Sequence, residues 1–440
     1  MSKTRWYQKS TYLLFVLVLF LGTAAVPQAG TVEASPAILY VGKWTEYAEN
    51  PVFGQGVDSG PKAYYPSVLY DKNEFSGHGH SAKYKMWHGT SGGQTALATS
   101  GDGINWTDRG VVMTKGYHAV VEYYSDGFAG ANSGDDPSST TMYYRMWYWD
   151  ESGLWSTPPE PIRYTESPDG INWFNDQAIT GNLFTGVSLE RNRTSYGPID
   201  VLYNPTATNT GTKPFDYSFV MYFDATEGNF EEIGLGYSSD GRNWSLYGKV
   251  LPRGNDGPSG NTDDWDSSYA SFGTVIKVAN GKWHMWYSGG TDKVHHGIGH
   301  ATSSDGLAWT RDASNPLLHV SDGVDWRNDR TYTPMVIYDV KKFSGQGDSV
   351  FWKMWFSGKN TDTSNYAIGY ATGDGVLPCP VGGEAYPINK IAVLTPWIAV
   401  AVCLAGGTSW DALRRRRASQ LGLKMNTMRG QVPVGLALLL

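Results

Sequence analysis

Short stretches of alternating aromatic and other residues recur along the chain, each built on the pattern aromatic-x-Met-aromatic. The five copies occupy residues 84–87, 144–147, 219–222, 283–286 and 352–355. Their methionines lie 60, 75, 64 and 69 residues apart. A period of two with aromatic residues predicts β-strands. Recurrence at this interval predicts an array of similar structural units.

A second element, ending in Asp-Gly, follows each copy of the first. It stands at residues 102–103, 169–170, 240–241, 305–306 and 374–375. Asp-Gly favours a tight turn, because glycine accepts a positive φ and aspartate bonds the local backbone. The strand after the turn carries Trp106, Trp173, Trp244 or Trp309. With a proline-centred first strand and a small-residue third strand, each unit predicts a four-stranded antiparallel propeller blade.

The fifth unit lacks its tryptophan strand, and the N-terminus supplies one. Trp44 and Asn50 have the same six-residue spacing as Trp309 and Asn315. We therefore expect residues 38–52 to form the outer strand of the last blade and to close the ring by strand pairing. The predicted fold is an all-β, five-bladed propeller over residues 36–378, with hydrophobic helices at both termini.

Composition supports many short strands and excludes one class of partner. The 440 residues include 18 Trp, 28 Tyr and 53 Gly, and the formal net charge is −7. An acidic chain has no extended basic face with which to displace counterions, so we expect no nucleic-acid partner. The two cysteines do not provide a disulfide framework. We expect a monomer whose repeated aromatic and methionine residues form the core between blades.

The two ends of the chain predict export and membrane attachment. Residues 1–29 have basic residues before an apolar run, which is the layout of a signal peptide, with an uncleaved anchor as the alternative. Residues 388–410 predict a transmembrane or sorting helix, and Arg414 to Arg417 begin a basic cytoplasmic tail over 411–440, expected to be disordered. The propeller would then lie outside the cell, at its surface, whether the helix persists or is processed.

The sequence patterns of the predicted strands resemble those of a known superfamily. The residues that carry the likeness are Tyr65-Pro66-Ser67-Val68, Trp265-Asp266 before Gly273, the methionine strands, and the Asp-Gly turns. Over residues 36–378 the chain resembles the five-bladed propeller glycoside hydrolases and phosphorylases, which include arabinanases, levansucrases and invertases. The resemblance implies an oligosaccharide or polysaccharide partner. Some members carry an axial calcium ion, but no residue set for it is assigned here, and no other cofactor is implied.

The resemblance implies that carboxylates at the starts of the innermost strands act in a central funnel. Glycoside cleavage uses one protonated carboxyl and a second that is ionised. Hydrolases of this superfamily typically have Asp before the first-blade proline, where this chain has Tyr65, and a phenol is a poor base at neutral pH. The candidate acids are Glu122, Glu190 and Asp200, with Asp58 as a substitute base. The alternative for each acid is a structural loop carboxylate, and the recurrence of acids at these positions favours that alternative.

Candidate substrate-binding residues lie in the same segments before the innermost strands. They are Tyr64, Tyr65, Tyr196, Arg193, Asp266, Asp329, Arg330 and Tyr332. Aromatic faces with polar edges suit sugar rings, and arginine can clamp an anionic group. The alternatives are packing of the funnel wall for the tyrosines and pairing with nearby acids for the arginines.

No metal site is assigned from the histidines. His78 and His80, and likewise His295 and His296, stand in glycine-containing loops without zinc-site spacing, so we expect surface loops. Two functions remain open. The first is a glycoside hydrolase-like enzyme, and the second is a non-catalytic carbohydrate-binding or adhesion propeller. They separate on whether two carboxyl groups face each other across the funnel at about 5–10 Å.

Overall fold

The computed structural model describes residues 43–55, 60–116, 118–128, 141–149, 162–183, 197–227, 230–254, 264–278, 281–292, 294–344 and 350–373. Within these ranges the regular structure is β-strand with short 3-10 turns. The 3-10 turns are Glu74–Gly77, Pro214–Asp216, Val320–Asp322 and Asp325–Arg327. The strands are β1 (Trp44–Glu46), β2 (Phe53–Gly54), β3 (Tyr64–Tyr70), β4 (Tyr84–Thr90), β5 (Gln94–Ser100), β6 (Trp106–Met113), β7 (His118–Tyr123), β8 (Tyr144–Trp149), β9 (Ile162–Ser167), β10 (Phe174–Ala178), β11 (Thr180–Gly181), β12 (Pro198–Tyr203), β13 (Phe219–Glu227), β14 (Phe230–Ser238), β15 (Asn243–Leu251), β16 (Tyr269–Lys277), β17 (Trp283–Gly290), β18 (Gly297–Ser303), β19 (Thr310–Arg311), β20 (Leu318–His319), β21 (Arg330–Tyr338), β22 (Trp352–Lys359) and β23 (Tyr366–Gly373).

The strands pair antiparallel in successive four-stranded units. The first unit is β3 to β6, the second β7 to β10 and the third β12 to β15. The fourth is β16 to β18 with β19 and β20 on its outer edge, and the last is β21 to β23 with β1 and β2. The innermost strands contact one another in order, and β21 contacts β3. This closed arrangement is that of a β-propeller, so the all-β propeller prediction is confirmed.

The repeated methionines lie between the units. A cluster of buried hydrophobic side chains lies at each junction of neighbouring units, and each cluster contains one methionine of the repeat. These methionines, Met86, Met146, Met221, Met285 and Met354, are completely buried. Their flexible thioether side chains fill the irregular space between twisted sheets. The prediction that they form the core is confirmed.

The Asp-Gly turns are also bonded to the preceding unit. Nε1–H of Trp87 donates to the carbonyl oxygen of Gly170 at 2.9 Å, and Trp355 donates to Gly103 at 2.8 Å. Gly103 has φ of +84°, which glycine adopts without strain. A buried indole N–H needs an acceptor, and the turn of the next unit supplies it. The two repeated sequence elements therefore hold each other across the junction.

The N-terminal strand completes the last unit. In the register of β1 and β23, Trp44 lies opposite Gly373. The Asn50 side chain accepts from the Tyr370 N–H at 2.8 Å and donates to the Tyr370 carbonyl at 2.9 Å. Asn315 makes the same two bonds to His300, at 2.8 and 2.9 Å. The two asparagines are therefore structural equivalents, and the predicted pairing of the Trp44 strand with the last unit is confirmed.

A buried arginine ties this strand to the last unit. Arg327 has no exposed surface, and its guanidinium donates to both oxygens of Glu46 in β1, with Nε to Oε2 at 3.2 Å. It also bonds to Asp322 at 3.0 Å and to the carbonyl oxygen of His319 at 2.6 Å. Breaking such a buried pair from one side is costly. Arg327 therefore contributes to closure of the ring.

The predicted terminal segments lie outside the described residues. These are the signal peptide at 1–29, the helix at 388–410 and the tail at 411–440, and all three stay predictions. Among the residues that the structure does describe, no helix is long and apolar enough to cross a membrane.

Candidate functional site

The innermost strands carry a repeated irregularity where they begin, at the end of the ring that we call the mouth. Tyr65, Phe272 and Thr333 have φ of 53°, 30° and 51°, although none is glycine. The pairing register shifts at each of these residues. A bulge with a left-handed residue redirects a side chain that would otherwise follow the strand's alternation. Strain of this kind tends to persist at functional sites.

A side chain of the preceding unit holds each bulge. The Tyr65 N–H donates to Ser357 Oγ at 2.9 Å, and the Thr333 N–H donates to Ser288 Oγ at 2.7 Å. The Phe272 N–H donates instead to Asp224 Oδ1 at 3.0 Å. Each acceptor lies three residues after the methionine of its own unit. Asp224 therefore stands where two other units have serine.

Rings from different units meet across the propeller axis at the mouth. Tyr65 stacks on His118 with centroids 4.7 Å apart, and its edge contacts with Phe272 and Tyr332 are at 5.2 and 5.6 Å. His118 also meets Phe272 at 4.7 Å. We call these four side chains the aromatic floor. They come from the first, second, fourth and last units, so the floor closes the axis at its mouth end.

Below the floor lies an axial cavity of about 30 Å³, lined by Glu122 and Asp200 among others. Tyr65, His118 and Phe272 form its end. A space of this size holds roughly one water molecule and no sugar ring. Glu122 and Asp200 are each 2% exposed, and Asp200 Oδ2 accepts from the Val275 N–H at 2.6 Å. These two acids lie on the axis as expected, but they are inside the ring, and we do not include them in the proposed site.

The other predicted site residues divide into three groups. Asp58, Glu190, Arg193 and Tyr196 lie outside the described residues and stay predictions. Asp266 is buried, and it accepts from Arg311 Nε at 2.7 Å and from the Tyr287 hydroxyl at 2.9 Å. The remaining four, with Tyr65, are at the mouth: Tyr64, Asp329, Arg330 and Tyr332.

Half-buried aromatic and cationic side chains surround the floor on the side of the first and last units. The Tyr64 ring lies 5.3 Å from Tyr65 and 5.3 Å from Tyr366. Lys62 Nζ lies 4.4 Å above the Tyr366 ring. Arg330 pairs with Asp329 at 3.9 Å, and its Nε has no hydrogen-bond partner within the described ranges. We call Lys62, Tyr64, Arg330 and Tyr366 the rim.

Two buried groups absent from the sequence-based candidates lie at the mouth: Asp224, which bonds to Phe272 of the floor, and His118, which belongs to the floor. Burial, and then the neighbouring Glu231, holds the pKa of the Asp224 carboxyl well above its ordinary value, although the Phe272 N–H opposes the shift. Burial, and then His295, lowers the pKa of His118 to about 3. Burial therefore favours the neutral form of both groups. Lining up the residues three positions after each methionine gives Gly89, Trp149, Asp224, Ser288 and Ser357, which marks Asp224 as the one acid at this position.

A second polar cluster lies next to these groups. His295 Nε2 is 3.1 Å from Glu231 Oε2 and 3.0 Å from Ser271 Oγ. In a catalytic triad the acid and the serine occupy opposite ring nitrogens, whereas here both contact Nε2, so the arrangement is not a triad. His295 is buried and stacks on Tyr269 at 4.5 Å. The expectation that His295 lies in a surface loop is therefore wrong.

The described residues do not fit an axial calcium ion. Calcium takes six to eight oxygen ligands, usually with several carboxylates. Within the described ranges, no group of three or more His, Cys, Asp or Glu side chains is placed to hold a metal ion. No step of the proposed function is therefore assigned to a metal.

Comparisons with known proteins return likenesses in structure only. No protein-family model and no curated protein matches the sequence. A solved structure described as a glycoside hydrolase is 14% identical over 80% of this chain and 95% of its own, with a TM-score of 0.49. An α-L-arabinofuranosidase from Podospora anserina in complex with cellotriose is 12% identical over 76% and 96%, with a TM-score of 0.47.

A third solved structure is an N-acetylgalactosamine deacetylase from F. plautii in complex with blood group B trisaccharide. It is 14% identical over 75% of this chain and 94% of its own, with a TM-score of 0.48. At these identities and scores the likenesses say nothing about the chemistry at the mouth, which rests on the chain's own residues.

Proposed function

We propose that this chain is a five-bladed propeller that binds an oligosaccharide across its mouth. The observation that carries the proposal is the aromatic floor, which closes the axis and leaves Tyr65 half-exposed beside the rim. Flat rings with polar edges match the faces and hydroxyl groups of sugars. Because the cavity below the floor holds only about one water, the ligand lies across the mouth and does not enter the ring.

The rim supplies the polar part of this recognition. Lys62 and Arg330 are donors placed beside the rings of Tyr64 and Tyr366, so a sugar that stacks on a ring can bond to a cation at its edge. Ligand sites of this kind combine apolar walls with a few placed polar groups. The proposed partner is therefore an oligosaccharide or polysaccharide.

The cellular setting is part of the proposal. The apolar N-terminal run and the helix followed by four arginines support an exported propeller held at the cell surface, with its mouth facing the surroundings. We propose that it acts as a monomer, since one closed ring contains the whole site.

A glycan-array screen of the purified protein tests the binding function. We expect selective binding of some oligosaccharides, and a loss of roughly 10-fold in affinity for Tyr64→Ala, because a stacking ring is removed. Tyr247→Ala is the matched control, since Tyr247 is an exposed tyrosine of β15, in the outer part of the third unit. No bound glycan, or equal losses for both variants, would contradict the proposal.

A second candidate function is glycoside hydrolysis, and one observation favours it. Burial and the neighbouring Glu231 raise the pKa of the Asp224 carboxyl and so favour its protonated form, and two carboxyl groups held in different environments are the usual basis of acid and base roles. In this case Asp224 would donate a proton to the leaving oxygen. Incubation with each bound glycan should then release reducing ends, and Asp224→Asn should abolish release while leaving binding. Binding without release by the unaltered protein would exclude this candidate.

A further inference from the structure

The third unit differs from the fourth and last units at one residue. This is the residue whose side chain accepts a hydrogen bond from the bulge of the next unit. Ser357 and Ser288 each hold a bulge with a single hydroxyl oxygen. Asp224 performs the same task with Oδ1 alone. A serine would therefore suffice for the fold at this place. The carboxyl group adds a second oxygen, and a buried carboxyl is more costly to desolvate than a hydroxyl.

The second oxygen has no structural use among the described residues. Asp224 is 3% exposed, and its Oδ2 has no hydrogen-bond partner within the described ranges. Buried polar atoms without a partner are uncommon and call for an explanation. Because the neutral carboxyl carries a proton, Oδ2 can donate a hydrogen bond as well as accept one.

A second buried polar atom that lacks a hydrogen-bond partner among the described residues lies near Asp224 Oδ2. His118 is 6% exposed, and its Nδ1 likewise has no partner in the described part of the chain. A Cβ on Gly197 would stand 2.5 Å from His118 Nδ1 and 3.2 Å from Asp224 Oδ2. Both atoms therefore lie close to Gly197, which has no side chain and stands at the start of the innermost strand of the third unit. Among its described residues, the third unit gives no ring to the floor.

We propose that Asp224 Oδ2 and His118 Nδ1 form a polar subsite that binds a hydroxyl group of the ligand. The inference rests on the proposed glycan binding at the mouth. A hydroxyl donates one hydrogen bond and accepts others, which matches a neutral carboxyl and a neutral imidazole. A charged substituent would have to lose its hydration here without a counter-ion. The subsite therefore selects sugars with a free hydroxyl over sugars with a carboxylate or sulfate at that position.

Access to the subsite requires one side chain to move. Both atoms are covered, and the ring that stacks on His118 is that of Tyr65. Tyr65 is the half-exposed member of the floor, whereas His118, Phe272 and Tyr332 are buried. In the proposal, Tyr65 moves from His118 onto the sugar, so that one stacking contact replaces another as the hydroxyl reaches Asp224.

The test compares variants of the full chain in titrations with the tightest neutral glycan found on the array. Asp224→Ser installs the residue of the fourth and last units and keeps an acceptor for the Phe272 N–H. We expect roughly 10-fold weaker binding with no loss of thermal stability. Asp224→Asn keeps both an acceptor and a donor, and should recover most of the affinity that serine loses. Tyr247→Ala again serves as the control.

A second variant makes the test independent of Asp224. Gly197→Ala keeps both polar atoms but places a methyl group against His118, and should also weaken binding about 10-fold. Unchanged affinity in Asp224→Ser, or in Gly197→Ala if the serine variant does not fold, would overturn the subsite. An unaltered protein that binds no glycan would overturn the proposed function and the subsite with it. Binding by the unaltered protein with no effect of either change would overturn the subsite alone.

Discussion

Asp200 and Asp224 are both buried carboxyl groups near the propeller axis, but their surroundings differ. Asp200 lies inside the ring, where it accepts from a backbone N–H of the fourth unit and has further interactions. Asp224 lies at the mouth, bonds through one oxygen and leaves the other without a partner in the described ranges. The contacts of Asp200 fit a role in holding the ring together. The second oxygen of Asp224 makes no such contact among the described residues, which fits a role in binding.

The largest expected effect comes from opening the ring on which both Asp200 and Asp224 depend. Deleting residues 36–52 removes β1, including Trp44, which packs edge-on against Trp286 at 6.0 Å. It also leaves the buried Arg327 without Glu46, at a cost of about 3–5 kcal/mol. We expect no cooperative thermal transition by circular dichroism. A deletion variant that melts at the temperature of the unaltered protein would contradict closure by this strand.

A core substitution should affect stability alone. Trp355→Ala removes a fully buried ring that packs on Tyr84 and bonds to Gly103. We expect the free energy of unfolding in urea to fall by about 3–5 kcal/mol. The affinity of the folded fraction for glycan should not change. A loss smaller than about 1 kcal/mol would show that the junction between the last and first units is loosely packed.

The variant Asp200→Ala tests whether Asp200 contributes to stability alone, in contrast to Asp224. The change leaves the Val275 N–H without its acceptor, so we expect the free energy of unfolding to fall by about 1–3 kcal/mol. Glycan affinity should stay within the error of the titration. Reduced affinity with unchanged stability would place Asp200 in the binding site and would undo the distinction from Asp224.

The smallest expected effect is a difference in pH dependence between the unaltered protein and Asp224→Ser. The pKa of Asp224 is raised in the folded state, so the folded protein keeps a proton that the unfolded chain releases. The stability that Asp224 contributes is complete below its unfolded pKa and is lost as the pH rises through its folded pKa. The free energy of unfolding of the serine variant should not show this decrease with pH, whose slope is at most about 1.4 kcal/mol per pH unit.

Urea melts at several pH values measure this difference. Glu231, His118 and His295 are the same in both proteins, so only the difference between the two curves reports on Asp224. Parallel curves would mean that the Asp224 carboxyl is ionised in the folded protein, and the neutral donor at the subsite would then be lost.

The repeat made most of the fold predictable from the sequence. Each unit buries the same faces, so Met86 and its four equivalents recur with their tryptophans and Asp-Gly turns. The pairing of Trp44 with the last unit could be predicted because Asn50 and Asn315 bridge the backbone in the same way. These features depend on local sequence and appear several times over.

The mouth was less predictable, for physical reasons. A bulge shifts the register by one residue, so alternation along the strand does not say that Tyr65 and Phe272 point to the axis. The partner of Phe272 is Asp224, which comes from a different strand of the neighbouring unit. His118 also gave no signal, because its role depends on burial against rings of other units. The resemblance implied acids around a central funnel, and Glu122 and Asp200 do line the axial cavity, but the sequence could not show how little space surrounds them.

In our proposal, a glycan binds at the mouth against the aromatic floor and the Asp224 subsite. A crystal structure of the protein with its tightest oligosaccharide tests this directly. We predict a sugar ring stacked on Tyr64 or Tyr65, with one hydroxyl within hydrogen-bond distance of Asp224 Oδ2. A sugar bound on the outer strands or on the opposite end of the ring, with the mouth unchanged, would contradict the account.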